Sequence, residues 1–218
     1  MILLSSIIQT FQAEYLAHYG ASVSPDQRQA LAAMASCRTS ASARMQAACC
    51  ACEHTLLVPH SCGHRTCPHC QHHESQQWLE RQLKRQVPAT YFLLTFTLPA
   101  ELRALARLHP RTVYDAMTRC SWDTVKTFCR NDAQLQGSAG AITVLHTHSR
   151  RLDFHPHIHL VMPAAAVDVD HRLWRTKRGK DNHQAPFLFS HKALAKVFRA
   201  KLLDALTRAA LALPPGCP

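Results

Sequence analysis

The sequence lacks any unbroken apolar run that is long enough to cross a bilayer. Its apolar opening, MILLSSIIQTF, has no basic leader and is interrupted by Ser5 and Ser6, so it does not match a secretory signal peptide. Glycine is scarce, with 6 residues against 12 prolines, which excludes a collagen-like or linker-like chain. We therefore expect a cytoplasmic protein with no membrane partner, in a compartment that keeps thiols reduced.

Acidic residues are also few, because 14 Asp and Glu stand against 25 Lys and Arg and leave a formal net charge of +11. This imbalance favours a polyanionic partner, and nucleic acid is the commonest one. A basic surface that serves only solubility is the alternative. The 218 residues are 47% hydrophobic, which is enough for one sizeable folded domain or two small ones.

Cysteine, in contrast, is abundant and unevenly distributed. Seven of the ten cysteines lie within residues 37–70, where the histidines His54, His60, His64 and His69 accompany them. In a basic protein of a reducing compartment, such a cluster favours a metal site over disulfides. A reduced thiol cluster or a redox pair is the alternative interpretation.

Two C-x2-C pairs give the cluster a recognisable spacing. Cys49 and Cys52 form the first pair, and Cys67 and Cys70 follow after fourteen intervening residues. Four thiolates complete the tetrahedral shell of a structural zinc ion and leave no open position for catalysis. Cys62 and His60 are possible substitutes, and Cys37 and Cys50 are further surplus ligands. Because the segment is too polar to bury a core unaided, we expect Zn2+ to supply much of its folding energy.

Periodicity and turn residues divide the rest of the chain into helices and strands. Helices are predicted over residues 24–35, 71–86, 111–132 and 190–213, and strands over 90–99, 141–148 and 152–163. This order predicts an α+β fold, an antiparallel sheet with helices on one face. The domains expected are an N-terminal helix with a Cys-rich zinc-binding domain, residues 1–87, and an α+β domain, residues 88–218.

The last predicted strand, DFHPHIHLVMP, carries histidines at alternate positions. His157 and His159 point to one side of the strand, while Ile158 and Leu160 point into the core. Two imidazoles on an open sheet face can bind a divalent cation, and surface histidines without a ligand are the alternative. His155 and, on the neighbouring strand, His146 are possible further ligands. Pro156 lacks the donor of a sheet ladder, so we expect an edge strand here.

Several stretches together resemble the rolling-circle transposases of the insertion sequence 91 family, which belong to the HUH endonuclease superfamily and carry an N-terminal zinc-binding domain. They are SPDQRQALAAMASCRT, HSCGHRTCPHCQ, YFLLTFTLPAELRALA and TVLHTHSRRLDFHPHIHLVMP, and the likeness runs from about Val23 to Leu206. The resemblance implies a ferredoxin-like sheet on which His157 and His159 hold Mg2+ or Mn2+. It also implies a bacterial, nucleoid-associated protein that nicks single-stranded element ends through a phosphotyrosine.

The sequence departs from the family pattern at the nucleophile. None of its tyrosines, Tyr15, Tyr19, Tyr91 and Tyr114, matches the catalytic motif, and the third metal ligand expected beside that motif is absent too. Ala164, Ala165 and Ala166 replace a glycine triplet of the family. We therefore expect a C-terminally truncated transposase that binds DNA and does not cleave it alone. The alternatives are a non-enzymatic zinc-ribbon protein that competes with an intact transposase, and a metal-dependent hydrolase with Asp153 as base.

Overall fold

The computed structural model describes residues 3–178 and 188–211 and divides the chain into two compact units, Met1–Gln86 and Val87–Pro218. Throughout the described ranges, no helix is both long and apolar enough to span a membrane. The fold is α+β, as predicted from the order of the elements. The last two residues of the helix predicted over 190–213 lie outside the described residues.

From residue 3 onwards, the first unit contains three α-helices, a short 3-10 helix (Gly20–Ser22) and one β-hairpin. In chain order these are α1 (Leu4–Tyr19), α2 (Pro25–Ser36), β1 (Arg44–Ala48), β2 (Thr55–Pro59) and α3 (Pro68–Leu83). Helix α2 begins where the sequence predicts, because Ser24 and Gln27 form a capping box ahead of Pro25. Helix α1 and the hairpin were not predicted. The apolar residues of α1 do not recur clearly with the period of a helix, and the hairpin lies inside the Cys-rich segment.

Burial in the first unit is sparse and depends on cysteine. Its buried hydrophobic residues are Val23, Cys37 and Cys67, while Met45, Leu56 and Leu57 on the hairpin are more than half exposed. A two-stranded hairpin without a packed face is marginally stable in water. The unit therefore needs a source of stability other than an apolar core, which agrees with the expectation of a metal-supported segment.

The second unit is built on a three-stranded antiparallel sheet. Strands β3 (Tyr91–Thr97), β4 (Ile142–His148) and β5 (Phe154–Pro163) pair in the order β3-β5-β4. The predicted hairpin between β4 and β5 is present, but the prediction that β5 is an edge strand is wrong. Pro156 is tolerated in this central strand because the register with β4 shifts between His146 and His148, where a donor is not required.

Helices cover one face of this sheet. They are α4 (Arg103–Leu108), α5 (Pro110–Asn131) and α6 (His191–Arg208). Ile158, Leu160 and Met162 of β5 are fully buried in the core with residues of α5 and α6. Since side chains alternate along a strand, the odd-numbered residues of β5, with His157 and His159 among them, belong to the opposite face.

A second hairpin follows the histidine strand. It consists of β6 (Ala165–Asp168) and β7 (Leu173–Thr176), neither of which is among the strands predicted from the sequence. Ala164, Ala165 and Ala166 are almost completely buried at its start. Val167 pairs with Ser138, and a Cβ on the adjacent Gly137 would come within 2.7 Å of the Val167 carbonyl oxygen. This close approach explains why a glycine occupies position 137.

Candidate metal centres

Four thiols converge in the first unit. The ligand atoms of Cys37, Cys62, Cys67 and Cys70 all lie within 4.8 Å of one another. Cys37 ends α2, Cys62 lies in the loop after β2, and Cys67 and Cys70 begin α3, so three separate parts of the chain meet at this point. Three Sγ–Sγ distances are 3.4 Å for Cys37–Cys70, 3.6 Å for Cys62–Cys70 and 3.8 Å for Cys37–Cys67.

The spacing of these sulfurs fits a zinc ion. Zn–S bonds of about 2.3 Å in a tetrahedron place neighbouring sulfurs about 3.8 Å apart, close to the observed distances. Burial raises the pKa of the Cys37 thiol to about 12. Burial also opposes ionisation of Cys70, but hydrogen bonds from Cys37 and Cys62 outweigh it and lower the pKa of Cys70 to about 6. A metal ion would replace the shared protons with four thiolate bonds.

The cluster differs in two members from the set that the sequence predicts. Cys67 and Cys70 belong to it, and Cys62 does too. Cys49 and Cys52 are exposed on the loop between β1 and β2, outside the group, and His60 is also outside it. Cys37 takes part instead; the C-x2-C spacing gave no signal for it, because its position depends on how α2 ends beside α3.

Three imidazoles converge in the second unit. The ligand nitrogens of His146, His157 and His159 lie within 4.8 Å of one another. Their ring centroids are separated by 4.8 Å for His157–His159, 4.5 Å for His146–His159 and 5.2 Å for His146–His157. The sheet register causes this arrangement, since His146 on β4 is the direct partner of His157 on β5.

Hydrogen bonds and burial leave these imidazoles suited to metal binding. His157 is buried, and its Nδ1 lies 2.6 Å from the carbonyl oxygen of His155, so Nδ1–H donates to that oxygen and Nε2 remains a lone-pair donor to a metal. Burial, followed by the neighbouring histidines, lowers the pKa of His159 and favours its neutral form. Neutral imidazole is the form that binds Zn2+, Mn2+ and similar ions.

His155 stands apart from the three. Its Nδ1 is 2.8 Å from Nη2 of Arg103, which donates to it, and its ring centroid is 5.4 Å from that of His157. Burial and then the charge of Arg103 lower the pKa of His155. The third nitrogen of the site comes from His146, whereas the family pattern led us to expect a third ligand near the catalytic motif.

Neither tyrosine of the second unit lies at this histidine cluster. Tyr91 is at the far end of β3, four residues before Thr95, the partner of His159, which corresponds to about 14 Å along the strand. Its hydroxyl accepts a hydrogen bond from the Val87 amide at 3.0 Å. Tyr114 lies on α5 and packs against the core, where burial raises the pKa of its hydroxyl.

Two family models match the chain in succession. One is described as "Transposase zinc-binding domain" and matches residues 7–98, which include the four converging cysteines. The other is described as "Putative transposase" and matches residues 140–213, which include the three converging histidines.

Named relatives agree with these models. "Putative transposase y4qJ" of Sinorhizobium fredii is 31% identical over 207 residues, which covers 94% of this chain and 50% of the relative. The transposase for insertion sequence element IS801 of Pseudomonas savastanoi pv. phaseolicola is 32% identical over 124 residues, 57% of this chain and 29% of the relative. Among solved structures, conjugative relaxase TrwC in complex with oriT DNA has a TM-score of 0.43 at 20% identity, over 57% of this chain and 46% of the relaxase.

The chain spans about half the length of y4qJ and less of the IS801 protein. Within that span, the zinc-binding model and the transposase model follow one another in chain order, and both relatives are named as transposases. The four cysteines supply the donor set that the first model's description requires. The chain therefore carries the zinc-binding domain of insertion sequence 91 transposases, followed by a segment that matches a transposase model.

Proposed function

We propose that this chain binds single-stranded DNA at the ends of a mobile element, as the zinc-binding and metal-dependent DNA-binding portion of a rolling-circle transposase. The observation that carries the proposal is the convergence of three imidazole ligand atoms on the face of the sheet opposite α5 and α6. A net charge of +11 supports a polyanionic substrate. The cysteine cluster supports a structural Zn2+ in the first unit.

The histidine cluster offers three imidazole nitrogens to one divalent ion. Nitrogen donors suit Mn2+ and Zn2+ by softness, and the family resemblance favours Mg2+ or Mn2+. When bound, such an ion polarises a phosphodiester as a Lewis acid and orients it. The chain's own residues prepare this position: the paired strands β4 and β5 set the spacing of His146 and His157, and the His155 carbonyl fixes the ring of His157.

Cleavage needs a nucleophile, and Tyr91 and Tyr114 are poorly placed to serve as one. Tyr91 lies about 14 Å along β3 from the residue that faces His159, and Tyr114 packs among the helices. We therefore propose that the chain alone binds single strands and does not nick them. In full-length relatives, the nucleophile would come from the part of the transposase that this chain does not match.

Divalent-ion and oligonucleotide binding test the proposal together. Purified protein with zinc bound is titrated with Mn2+ and with fluorescein-labelled single- and double-stranded element ends, with and without Mn2+. We expect tighter binding to single strands, strengthened by Mn2+. His157→Ala should weaken Mn2+ binding at least tenfold without a change in melting temperature, because the side chain lies outside the apolar core. His191→Ala is the control, since His191 is exposed at the start of α6.

Each result separates the proposal from its alternatives. A covalent protein–DNA adduct on a denaturing gel would contradict the absence of nicking. Equal affinity for single and double strands, unaffected by Mn2+ and by His157→Ala, would favour a zinc-ribbon DNA-binding protein without a histidine-based site. Hydrolysis of the strand without an adduct would favour a metal-dependent hydrolase.

A further inference from the structure

Two arginines on α4 face the beginning of the histidine strand. Arg103 and Arg107 are four residues apart, so they lie one above the other on one side of the helix. Nη2 of Arg103 donates to Nδ1 of His155 at 2.8 Å. The guanidinium carbon of Arg107 lies 4.8 Å from the ring centroid of Phe154. Both cations therefore lie against His155 and Phe154, two and three residues before His157.

Arg103 has more hydrogen-bond donors than partners. A guanidinium offers five N–H donors, and within residues 3–178 and 188–211 its one recorded acceptor is the neutral ring of His155. Its Nε is buried and has no partner there. Unsatisfied buried donors are rare in native proteins. Arg103 as a whole is only half-buried, so its terminal N–H groups are accessible to an anion from outside the chain.

No carboxylate of the described chain supplies that anion. The ion pairs found in residues 3–178 and 188–211 involve neither Arg103 nor Arg107. Asp153 lies two residues before His155, but its carboxylate accepts a hydrogen bond from the Ser149 hydroxyl at 3.3 Å. A purely structural role for Arg103 would leave most of its hydrogen-bonding capacity unused.

We propose that Arg103 binds a backbone phosphate of the DNA strand beside the histidine cluster, and that Arg107 extends this contact to the neighbouring nucleotide. The inference rests on the proposed function, and it assigns the side of the histidine cluster along which the DNA strand runs. The His155 ring, which orients Arg103, is 5.4 Å from the ring of His157, so a phosphate on Arg103 lies on the His155 side of the histidine cluster. Guanidinium binds phosphate through parallel N–H donors, which matches the donors left over here.

Oligonucleotide affinity across a salt series tests this assignment. The probe is fluorescein-labelled dT12, and the proteins are the unsubstituted chain, Arg103→Gln, Arg107→Gln, Arg103→Lys and the control Arg119→Gln. Arg119 is exposed on α5 and donates to the Asp115 carbonyl of its own helix. Each protein is also titrated with Mn2+, and its melting temperature is measured.

For Arg103→Gln we expect affinity for dT12 to fall about tenfold, and the slope of log K against log salt to decrease by about 0.7, the contribution of one phosphate contact on a single strand. Mn2+ affinity and melting temperature should not change. Arg107→Gln should have a smaller effect of the same kind, and Arg103→Lys should restore the salt slope but only part of the affinity. Arg119→Gln should match the unsubstituted chain.

An unchanged salt slope in Arg103→Gln, with Mn2+ affinity intact, would overturn the assignment and leave the proposed function standing. Loss of Mn2+ affinity or a lower melting temperature in both Arg103→Gln and Arg103→Lys would show that Arg103 supports His155 structurally, and this also overturns it. If the unsubstituted chain does not bind dT12, the proposed function itself fails, which the first titration shows.

Discussion

The two ligand clusters of this protein are assembled in opposite ways. The four cysteines come from the end of α2, a loop and the start of α3, in a unit whose few buried hydrophobic residues include two of those cysteines. The three histidines come from two paired strands whose reverse face is buried in a continuous apolar core. The difference teaches that a closed thiolate site can take the place of a core, whereas an open imidazole site requires one.

This contrast reflects two different sources of folding free energy. A structural zinc ion in a small domain contributes about 10–16 kcal/mol of apparent binding free energy, which becomes folding free energy. The sheet of the second unit gains its stability from burial of side chains such as Ile158 and Leu160, independently of any ion. We therefore expect metal removal to unfold the first unit and to leave the second folded.

The largest expected effect is that of Cys67→Ala. Cys67 is completely buried, is a member of the thiol cluster, and occupies the position before the first turn of α3. Its loss removes one of four ligands, so the variant should lose most of its bound zinc, and the first unit should become sensitive to limited proteolysis. Elemental analysis of zinc and mass spectrometry of the fragments measure the two outcomes.

Cys52→Ala is the matched control, because Cys52 is exposed and lies outside the cluster. It should retain zinc and resistance to protease. If Cys52→Ala loses as much zinc as Cys67→Ala, the ligand set predicted from the two C-x2-C pairs would replace the one that converges in the structure.

The next effect is expected in the second unit. Leu160 is fully buried and faces the helices from the central strand. It directly follows His159, whose side chain belongs to the other face of the sheet. Leu160→Ala should lower the free energy of unfolding of this unit by about 2–5 kcal/mol, since it removes buried methyl groups and leaves a cavity. Zinc content should not change. Thermal and urea unfolding, followed by circular dichroism, measure the loss.

Val144→Ala provides the comparison on the same sheet. Val144 pairs directly with His159 on the histidine face and is 38% exposed. Its truncation should cost less than about 1 kcal/mol. Equal losses for the two substitutions would mean that the histidine face is as tightly packed as the helical face, and the open site would then lose its structural basis.

Sequence reasoning succeeded for features that depend on local periodicity. The alternation of His157 and Ile158 predicts their opposite faces because a strand has a period of two, and the capping box at Ser24 fixes the start of α2. Local patterns carry less information about where distant segments meet. The spacing of Cys49 and Cys52 is a good ligand pattern, yet only the tertiary fold determines that Cys37 is the residue beside Cys70.

The error at Pro156 has the same origin. A missing backbone donor argues for an edge strand only if the strand is regular, and here the register shift opposite Pro156 removes the need for that donor. The regular register of β4 and β5 ends at the pair of His146 and His157, and beyond the shift His148 pairs with Phe154. A feature that appeared to weaken the strand thus coincides with the position where the third imidazole joins the site.

The smallest predicted effect concerns the β6–β7 hairpin. This hairpin has no thiol cluster, and it contributes fewer residues to the apolar core than β5 does. Asp168 accepts hydrogen bonds from Nη2 and Nε of Arg175, at 2.6 and 3.1 Å, and from the backbone amide of His171 at 3.2 Å. Arg175, followed by the His171 amide, lowers the pKa of the Asp168 carboxyl from 3.8 to about 2.

Because the pKa in the folded state is the lower one, Asp168 stabilises the hairpin fully above its ordinary pKa of 3.8, and this contribution is lost as the pH falls through about 2. Asp168→Asn should therefore be slightly less stable than the unsubstituted chain at pH 6, and the difference should narrow between pH 4 and pH 2, as measured by urea unfolding. Asp170→Asn, a substitution at an exposed neighbour, should show no such narrowing. If the stability difference between Asp168→Asn and the unsubstituted chain does not vary with pH, the shape of the Asp168 side chain, and not its charge, stabilises the hairpin. This third region would then resemble the apolar core more than an ion-paired surface.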